Sequence, residues 1–268
     1  MIIFDSHTHN TFSHDGKQSP EEQLNICLEK GFKGYAVTDH CELEDSNWIE
    51  VCEKNIPNSI KTAKEFKNKN LDKIIISVGV EIGGALFAKE KADKIISENK
   101  LDFILCSCHN AKGQHDYCRK DYSKEKNIPE LLKNYFEILE ESSYSCDFDS
   151  LSHITYPLRY ISGNYGIKVD MKEYEPIIEK TLLNLIKRNK AMEVNTSGFR
   201  QKIGVSMPDK DIISLYKKLG GELITIGSDA HRSEDMGKDF DRTAKVLKEC
   251  GFDKYYYYQN RIPHEILL

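Results

Sequence analysis

Residues 2–15 read IIFDSHTHNTFSHD: a short apolar run, Ile2–Phe4, that breaks abruptly into imidazoles and carboxylates. The same punctuation recurs along the chain. Tyr35–Val37 runs into TDH, Ile74–Val80 into Glu81, Phe103–Cys108 into His109, Phe148–Ser152 into His153, Ala191–Val194 into NTSG, and Leu223–Ile226 into GSDAH. Brief apolar runs closed by polar residues are strand signals, and near-continuous apolarity marks strands covered on both faces. Between them lie amphipathic Lys/Glu-rich stretches with helical spacing: Pro20–Lys30, Pro57–Asn68, Ala88–Asn99, Pro129–Glu141, Tyr174–Arg188, Pro208–Leu219 and Asp239–Cys250. Several open with Pro near the first turn, and Gly31, Gly220 and Gly251 stand where helices would close.

About seven β/α units in succession predict an α/β fold with a parallel sheet. A barrel fits better than an open sheet. Polar residues follow almost every strand, and barrels build their sites from all of those loops, whereas open sheets concentrate ligands at a crossover point. At 268 residues, with no linker, low-complexity segment or further repeat, the chain reads as a single domain spanning 1–268. The run Tyr255–Tyr258 is expected to form a final strand or edge segment whose rings pack.

Composition narrows the function. Thirty-eight Lys+Arg against forty-three Asp+Glu leave a net charge of −5, which argues against a nucleic-acid partner. No run approaches the ~20 apolar residues of a membrane span, so no membrane partner is expected. The opening residues lack a charged, then apolar, leader pattern. The eight cysteines have irregular spacings in a chain too long to need staples, which suits reduced thiols and a cytoplasmic location.

The histidines carry the chemistry. His7 and His9 are two apart on a strand and so share a face. His40, Glu81, His109 and His153 close the second to fifth strands, Asp229 and His231 close the seventh, and Asp15 lies in the loop after the first. One His at a strand end is usually a solvated loop residue. A His, Asp or Glu at the C-terminal end of six of seven predicted strands is not a chance scatter. Three carboxylates and six imidazoles at one barrel mouth would desolvate and repel one another without cations. Nine ligands exceed what one or two open sites need, and a three-metal centre fits the count. Ligation by N and O alone favours Zn, Mn or Fe, and Cys106 and Cys108 read as packing residues.

Taken together, HTH, Asp15 in SHDG, TDH, GVEIG, CSCHN, SH and GSDAH resemble the polymerase and histidinol phosphatase (PHP) superfamily over nearly the whole chain. The DSHTHNTFSHDGK opening and NTSGFR segment are similar to its histidinol-phosphate phosphatases. The resemblance implies a distorted, TIM-like (β/α)7 barrel with three divalent transition-metal ions at its mouth. It places His7, His9, Glu81 and Asp229 on the first metal, and Glu81, His109 and His153 on the second. Asp15, His40 and His231 fall on the third.

The activity so implied is hydrolysis of L-histidinol phosphate in histidine biosynthesis, with metal-activated hydroxide attacking phosphorus. Glu81 and Asp229 are then essential. Arg159 in TYPLRY and Arg200 in NTSGFR lie in loops on the catalytic side, and their planar forks suit phosphate. His14 either contacts the phosphate, protonates the leaving oxygen, or supports Asp15. Asn195 and Ser197 either bind substrate or shape a turn, Asp5 reads as a strand-end residue, and His115 and His264 have no site role. Other readings are a phosphoesterase for phosphotyrosine or a nucleotide, an amidohydrolase, and a metal-storage protein. The expected partner is a small-molecule phosphate ester, and a homo-oligomer is compatible with the sequence.

Overall fold

The computed structural model describes residues 2–44 and 48–268. Strands and helices alternate: β1 (Phe4–Thr8), α1 (Pro20–Glu29), β2 (Gly34–Val37), β3 (His40–Glu42), α2 (Ile49–Lys69), β4 (Ile75–Gly83), α3 (Lys89–Asn99) and β5 (Phe103–Ser107). There follow α4 (Ile128–Ser145), β6 (Ser150–Leu151), α5 (Glu175–Lys187), β7 (Ala191–Asn195), α6 (Lys210–Lys218), β8 (Ile224–Gly227) and α7 (Phe240–Glu249). The chain ends in β9 (Lys254–Gln259) and β10 (Ile262–Leu267).

Pairing is parallel in the order β1-β2-β4-β5-β6-β7-β8, and β3 prolongs β2 along the upper half of β4. The sheet closes on itself where β1 meets the chain just past β8: Asp229 N donates to His7 O at 2.8 Å and His9 N to Ala230 O at 2.9 Å. The expected barrel is therefore present, and its seam lies at the mouth. Every residue of β1 and β5 is buried, as strands covered inside and out should be.

Helix ends follow local chemistry where the sequence supplies a cap. Ser19 and Glu22 form a reciprocal capping box ahead of Pro20 in α1. Two helix starts depart from expectation. Pro57 does not open its helix but sits inside α2, which begins at Ile49. The apolar stripe of Cys52, Ile56, Ile60 and Ala63 runs through the proline, and burying it outweighs one lost backbone bond. Pro208 lies outside α6, because Asp209 caps that helix by accepting from Ile212 N.

The tyrosine run is a strand, as expected, but it joins an antiparallel hairpin with β10 rather than the barrel sheet. Its partners lie where barrel strands begin. The Tyr255 hydroxyl accepts from Phe4 N and donates to Ile2 O, both at 2.9 Å, Tyr257 stacks on Phe4, and Tyr258 stacks near Phe103. The hairpin thus covers the end of the barrel opposite the mouth. None of the helices among the described residues is long and apolar enough to cross a membrane.

Candidate metal centre

Each strand delivers its terminal polar residue to the same end of the barrel, and Glu81 of β4 stands at the centre of the resulting cluster. One carboxylate oxygen, Oε2, lies 2.8 Å from His40 Nδ1, 3.4 Å from His7 Nε2 and 3.6 Å from His9 Nε2. The other, Oε1, lies 3.0 Å from His153 Nε2 and 3.4 Å from His109 Nε2. The two oxygens therefore face different imidazole groups, which is the disposition of a bridging carboxylate.

Around it, Asp229 Oδ1 approaches His9 Nε2 at 3.4 Å, His231 Nδ1 at 3.6 Å and His7 Nε2 at 3.8 Å. Asp15 Oδ1 lies 3.2 Å from His231 Nε2 and 3.6 Å from His40 Nε2. All nine residues singled out from the sequence meet here. Asp229 takes a left-handed backbone (φ 55°) directly after β8, which turns its carboxylate back toward β1. Gly227, two residues earlier, has no room for a side chain: a Cβ there would meet His7 Cβ at 2.3 Å and Glu193 Oε1 at 2.4 Å.

The donor set fits divalent cations. Nε2 of His7, Nε2 of His9 and Oε2 of Glu81 are buried without a hydrogen-bond partner among the described residues. Ligand atoms of His7, His9 and Asp229 lie within 4.8 Å of one another, as do those of His7, Glu81 and His153, and those of His9, His40 and His231. His109 Nε2 and His153 Nε2 face each other at 3.3 Å, and His40 Nε2 and His231 Nε2 at 3.4 Å. Burial alone would raise the Glu81 and Asp229 carboxyls, but the surrounding imidazoles hold both well below the ordinary carboxylate range. Burial would likewise lower the His7, His40 and His109 imidazoles, yet the neighbouring carboxylates raise all three. Divalent cations would supply the same positive charge and release those protons.

Partners on the far side of the rings orient them. His7 Nδ1 pairs with Glu193 Oε1 at 2.7 Å, and His109 Nδ1 with Glu42 Oε1 at 2.8 Å. His9 Nδ1 meets Ser13 Oγ at 3.0 Å, and that hydroxyl donates to Asp39 Oδ1. Ser107 Oγ donates to Glu81 Oε1. Such contacts fix the tautomer and would aim the remaining nitrogen at a bound ion. Sequence reasoning missed Glu42, Glu193, Asp39, Ser13 and Ser107. Glu193 carried a signal, as a lone charge in the apolar run AMEVN, and Glu42 stands two residues past His40.

The remaining expectations divide. Arg159 lines a cavity of about 360 Å³ over the cluster and donates from Nη2 to Ser197 Oγ and Asp229 Oδ2. Arg200 does not line that cavity; it borders an adjoining open one, with Nη2 donating to Ser228 O and Nε 3.4 Å from Asp235. His14 lines the inner cavity, stacked on Trp48 at 3.9 Å, and its Nε2 lies 3.9 Å from Asp15 Oδ2. Asn195 and Ser197 hydrogen-bond each other and shape the turn after β7. Asp5 accepts from Ser228 N and Gly237 N and belongs to none of the ligand groups. His264 stacks on Tyr257 in the hairpin, and Cys106 and Cys108 are buried outside the ligand groups.

Comparison with known proteins places this architecture. The PHP domain model matches residues 5–197. A probable histidinol-phosphatase of Thermotoga maritima is 30% identical over 253 residues, covering 94% of each chain. A histidinol-phosphatase of Lactococcus lactis is 25% identical over 254 residues, 94% of this chain and 93% of the other. The crystal structure of histidinol phosphate phosphatase from Lactococcus lactis, complexed with zinc, L-histidinol and phosphate, superposes with a TM-score of 0.82 at 22% identity, covering 97% of this chain and 98% of that one. With the family model spanning most of the barrel and a full-length relative at 30% identity, the chain belongs to the PHP domain family and, within it, to the family of the histidinol-phosphatases.

Proposed function

We propose that the chain is a metal-dependent phosphomonoesterase that hydrolyses L-histidinol phosphate to L-histidinol and phosphate, acting in the cytoplasm as one barrel domain spanning residues 1–268. The observation that carries this reading is Glu81, whose two oxygens face separate imidazole groups with ring nitrogens 2.8 to 3.6 Å away. The relatives support the substrate: the Thermotoga maritima and Lactococcus lactis proteins, each matched over 94% of this chain, are named a probable histidinol-phosphatase and a histidinol-phosphatase, and the Lactococcus lactis structure of the same fold holds zinc, L-histidinol and phosphate.

His7, His9, Glu81 and Asp229 would hold one ion, Glu81, His109 and His153 a second, and Asp15, His40 and His231 a third, each Zn, Mn or Fe. When bound, these ions supply Lewis-acid charge for the phosphoryl oxygens and make water acidic enough to ionise near neutral pH. Arg159 positions the ester by directing guanidinium N–H groups at phosphoryl oxygens from above the cluster. Burial alone would disfavour the charged guanidinium, but the neighbouring Tyr160 and Asp229 outweigh it and keep the group charged. His14 faces the cavity with its ring braced on Trp48, placed to give a proton to the leaving alkoxide. Glu193 and Glu42 hold the imidazoles of His7 and His109 in one orientation, so the ligand set is formed before substrate arrives.

Steady-state kinetics with protein of measured metal content test the proposal. Histidinol phosphate should exceed a phosphotyrosine peptide and a nucleotide in kcat/KM. Faster turnover of either competitor, or full activity in protein shown to be metal-free, would overturn it.

A further inference from the structure

Four carboxylates line the cavity above the cluster: Asp15, Glu42, Asp116 and Asp229. Three are engaged by imidazoles, Asp15 with His231 at 3.2 Å, Glu42 with His109 at 2.8 Å and Asp229 with His9 at 3.4 Å. Asp116 is different. Its Oδ1 accepts from Cys118 N at 2.7 Å and from the Tyr156 hydroxyl at 3.0 Å, both neutral donors. None of the cations among the described residues makes a salt bridge to it, although Arg119 lies three residues on and stacks over Trp48 instead.

Position adds meaning to this unpaired charge. Tyr156 separates Asp116 from Arg159: its hydroxyl holds the carboxylate, while the Arg159 guanidinium carbon lies 5.5 Å from its ring centre. Arg159 is anchored on the Asp229 side of the cavity, and Asp116 lies on the side of Cys118 and Arg119. An anion-seeking group and an unpaired anion therefore stand one aromatic ring apart in one cavity.

We propose that Asp116 is the residue that selects the organic half of the ester, accepting a hydrogen bond from a cationic nitrogen, ammonium or imidazolium, while Arg159 faces the phosphoryl end. The assignment rests on the phosphatase reading above. Its physical basis is a difference between substrates. A cationic alcohol pairs with the carboxylate, whereas a neutral ester leaves a charge desolvated and unpaired, so the site favours the first and penalises the second.

The test uses the metal-replete full chain and the ratio of kcat/KM for histidinol phosphate to that for p-nitrophenyl phosphate. Asp116→Asn should lower this ratio by roughly 10- to 100-fold, the worth of one charge-assisted hydrogen bond, and Asp116→Glu should lower it less. Tyr156→Phe, which removes the hydroxyl holding Oδ1, should give an intermediate loss. Trp48 lines the cavity and is the only tryptophan in the chain, so its fluorescence reports L-histidinol binding without turnover. Asp116→Asn should weaken that affinity by a similar factor. An unmoved ratio, or unmoved L-histidinol affinity, overturns the assignment. A wild-type chain that turns over other esters but not histidinol phosphate defeats the broader reading alone. Asp116 is then judged by phosphoethanolamine against propyl phosphate, where an unmoved ratio in Asp116→Asn overturns it too.

Discussion

His7 Nδ1 lies 2.7 Å from Glu193 Oε1, with neither side chain exposed and the two residues 186 positions apart in sequence. Glu193 also accepts from His153 N at 2.8 Å through its second oxygen. One carboxylate in β7 thus orients an imidazole from β1 and anchors the backbone of the histidine that follows β6.

Replacing that carboxylate should weaken the centre without removing a ligand. Glu193→Gln is expected to cost roughly 10- to 100-fold in metal affinity or kcat/KM, in the range of other partners that orient metal-bound histidines. Metal content after dialysis against a competing chelator, measured beside turnover, checks this. Retention of both at wild-type level would show that Glu193 only packs.

The central carboxylates should be far less tolerant. Glu81→Gln and Asp229→Asn keep shape and burial but remove the charge, and each should lower kcat by about a thousandfold or more. Asn is the better probe at position 229 because it accepts the left-handed backbone there (φ 55°). Circular dichroism should show an unchanged fold in both variants. Normal turnover in either, at full metal occupancy, would contradict the ligand assignment.

Chelation should act on stability as well as activity. Ions that bind only the folded cluster stabilise it by mass action, so their removal should abolish turnover and lower Tm by ~5 to 10 °C. Adding back zinc or manganese should restore both. Calorimetry of stripped and reconstituted protein makes the comparison.

Away from the mouth, Arg261 clamps the terminal hairpin by pairing with Asp147 at 2.7 Å and Asp149 at 3.0 Å. Its hydrogen bonds hold the Asp147 carboxyl below the ordinary value, whereas burial raises Asp149 despite the same guanidinium. Arg261→Leu should cost about 2 kcal/mol at neutral pH, less than for a fully buried pair because Arg261 and Asp147 are partly exposed. The arginine stabilises only ionised partners. Its contribution is therefore complete above both carboxylate pKa values and fades as pH falls, first through the raised value of Asp149 and then through the depressed value of Asp147. Urea midpoints of wild type and variant should converge between neutral pH and about pH 2. A constant gap would mean that Arg261 acts through packing alone.

The sequence by itself determined which residues would meet at the mouth. His7, His9, His40, Glu81, His109, His153, Asp229 and His231 stand at the ends of apolar runs or just beyond them, and parallel strands must carry their ends to one side of the sheet. Strand order and ligand type are local properties, so they survive in a string of letters. Helix starts were less legible, as Pro57 shows, because the buried stripe on either side of it overrides a local breaker.

Only the tertiary structure decided what surrounds those ligands. Closure between β1 and the end of β8 brings Glu193 behind His7, the register of β3 on β4 sets Glu42 beside His109, and Arg159 lines both the cavity over the cluster and the adjoining open one, whereas Arg200 lines only the second. Among the described residues, no cation makes a salt bridge to Asp116 in the cavity lining, while the other three carboxylates that line it pair with imidazoles. Such relationships depend on strand register, twist and loop path between residues far apart in the chain, and no local pattern of spacing encodes them.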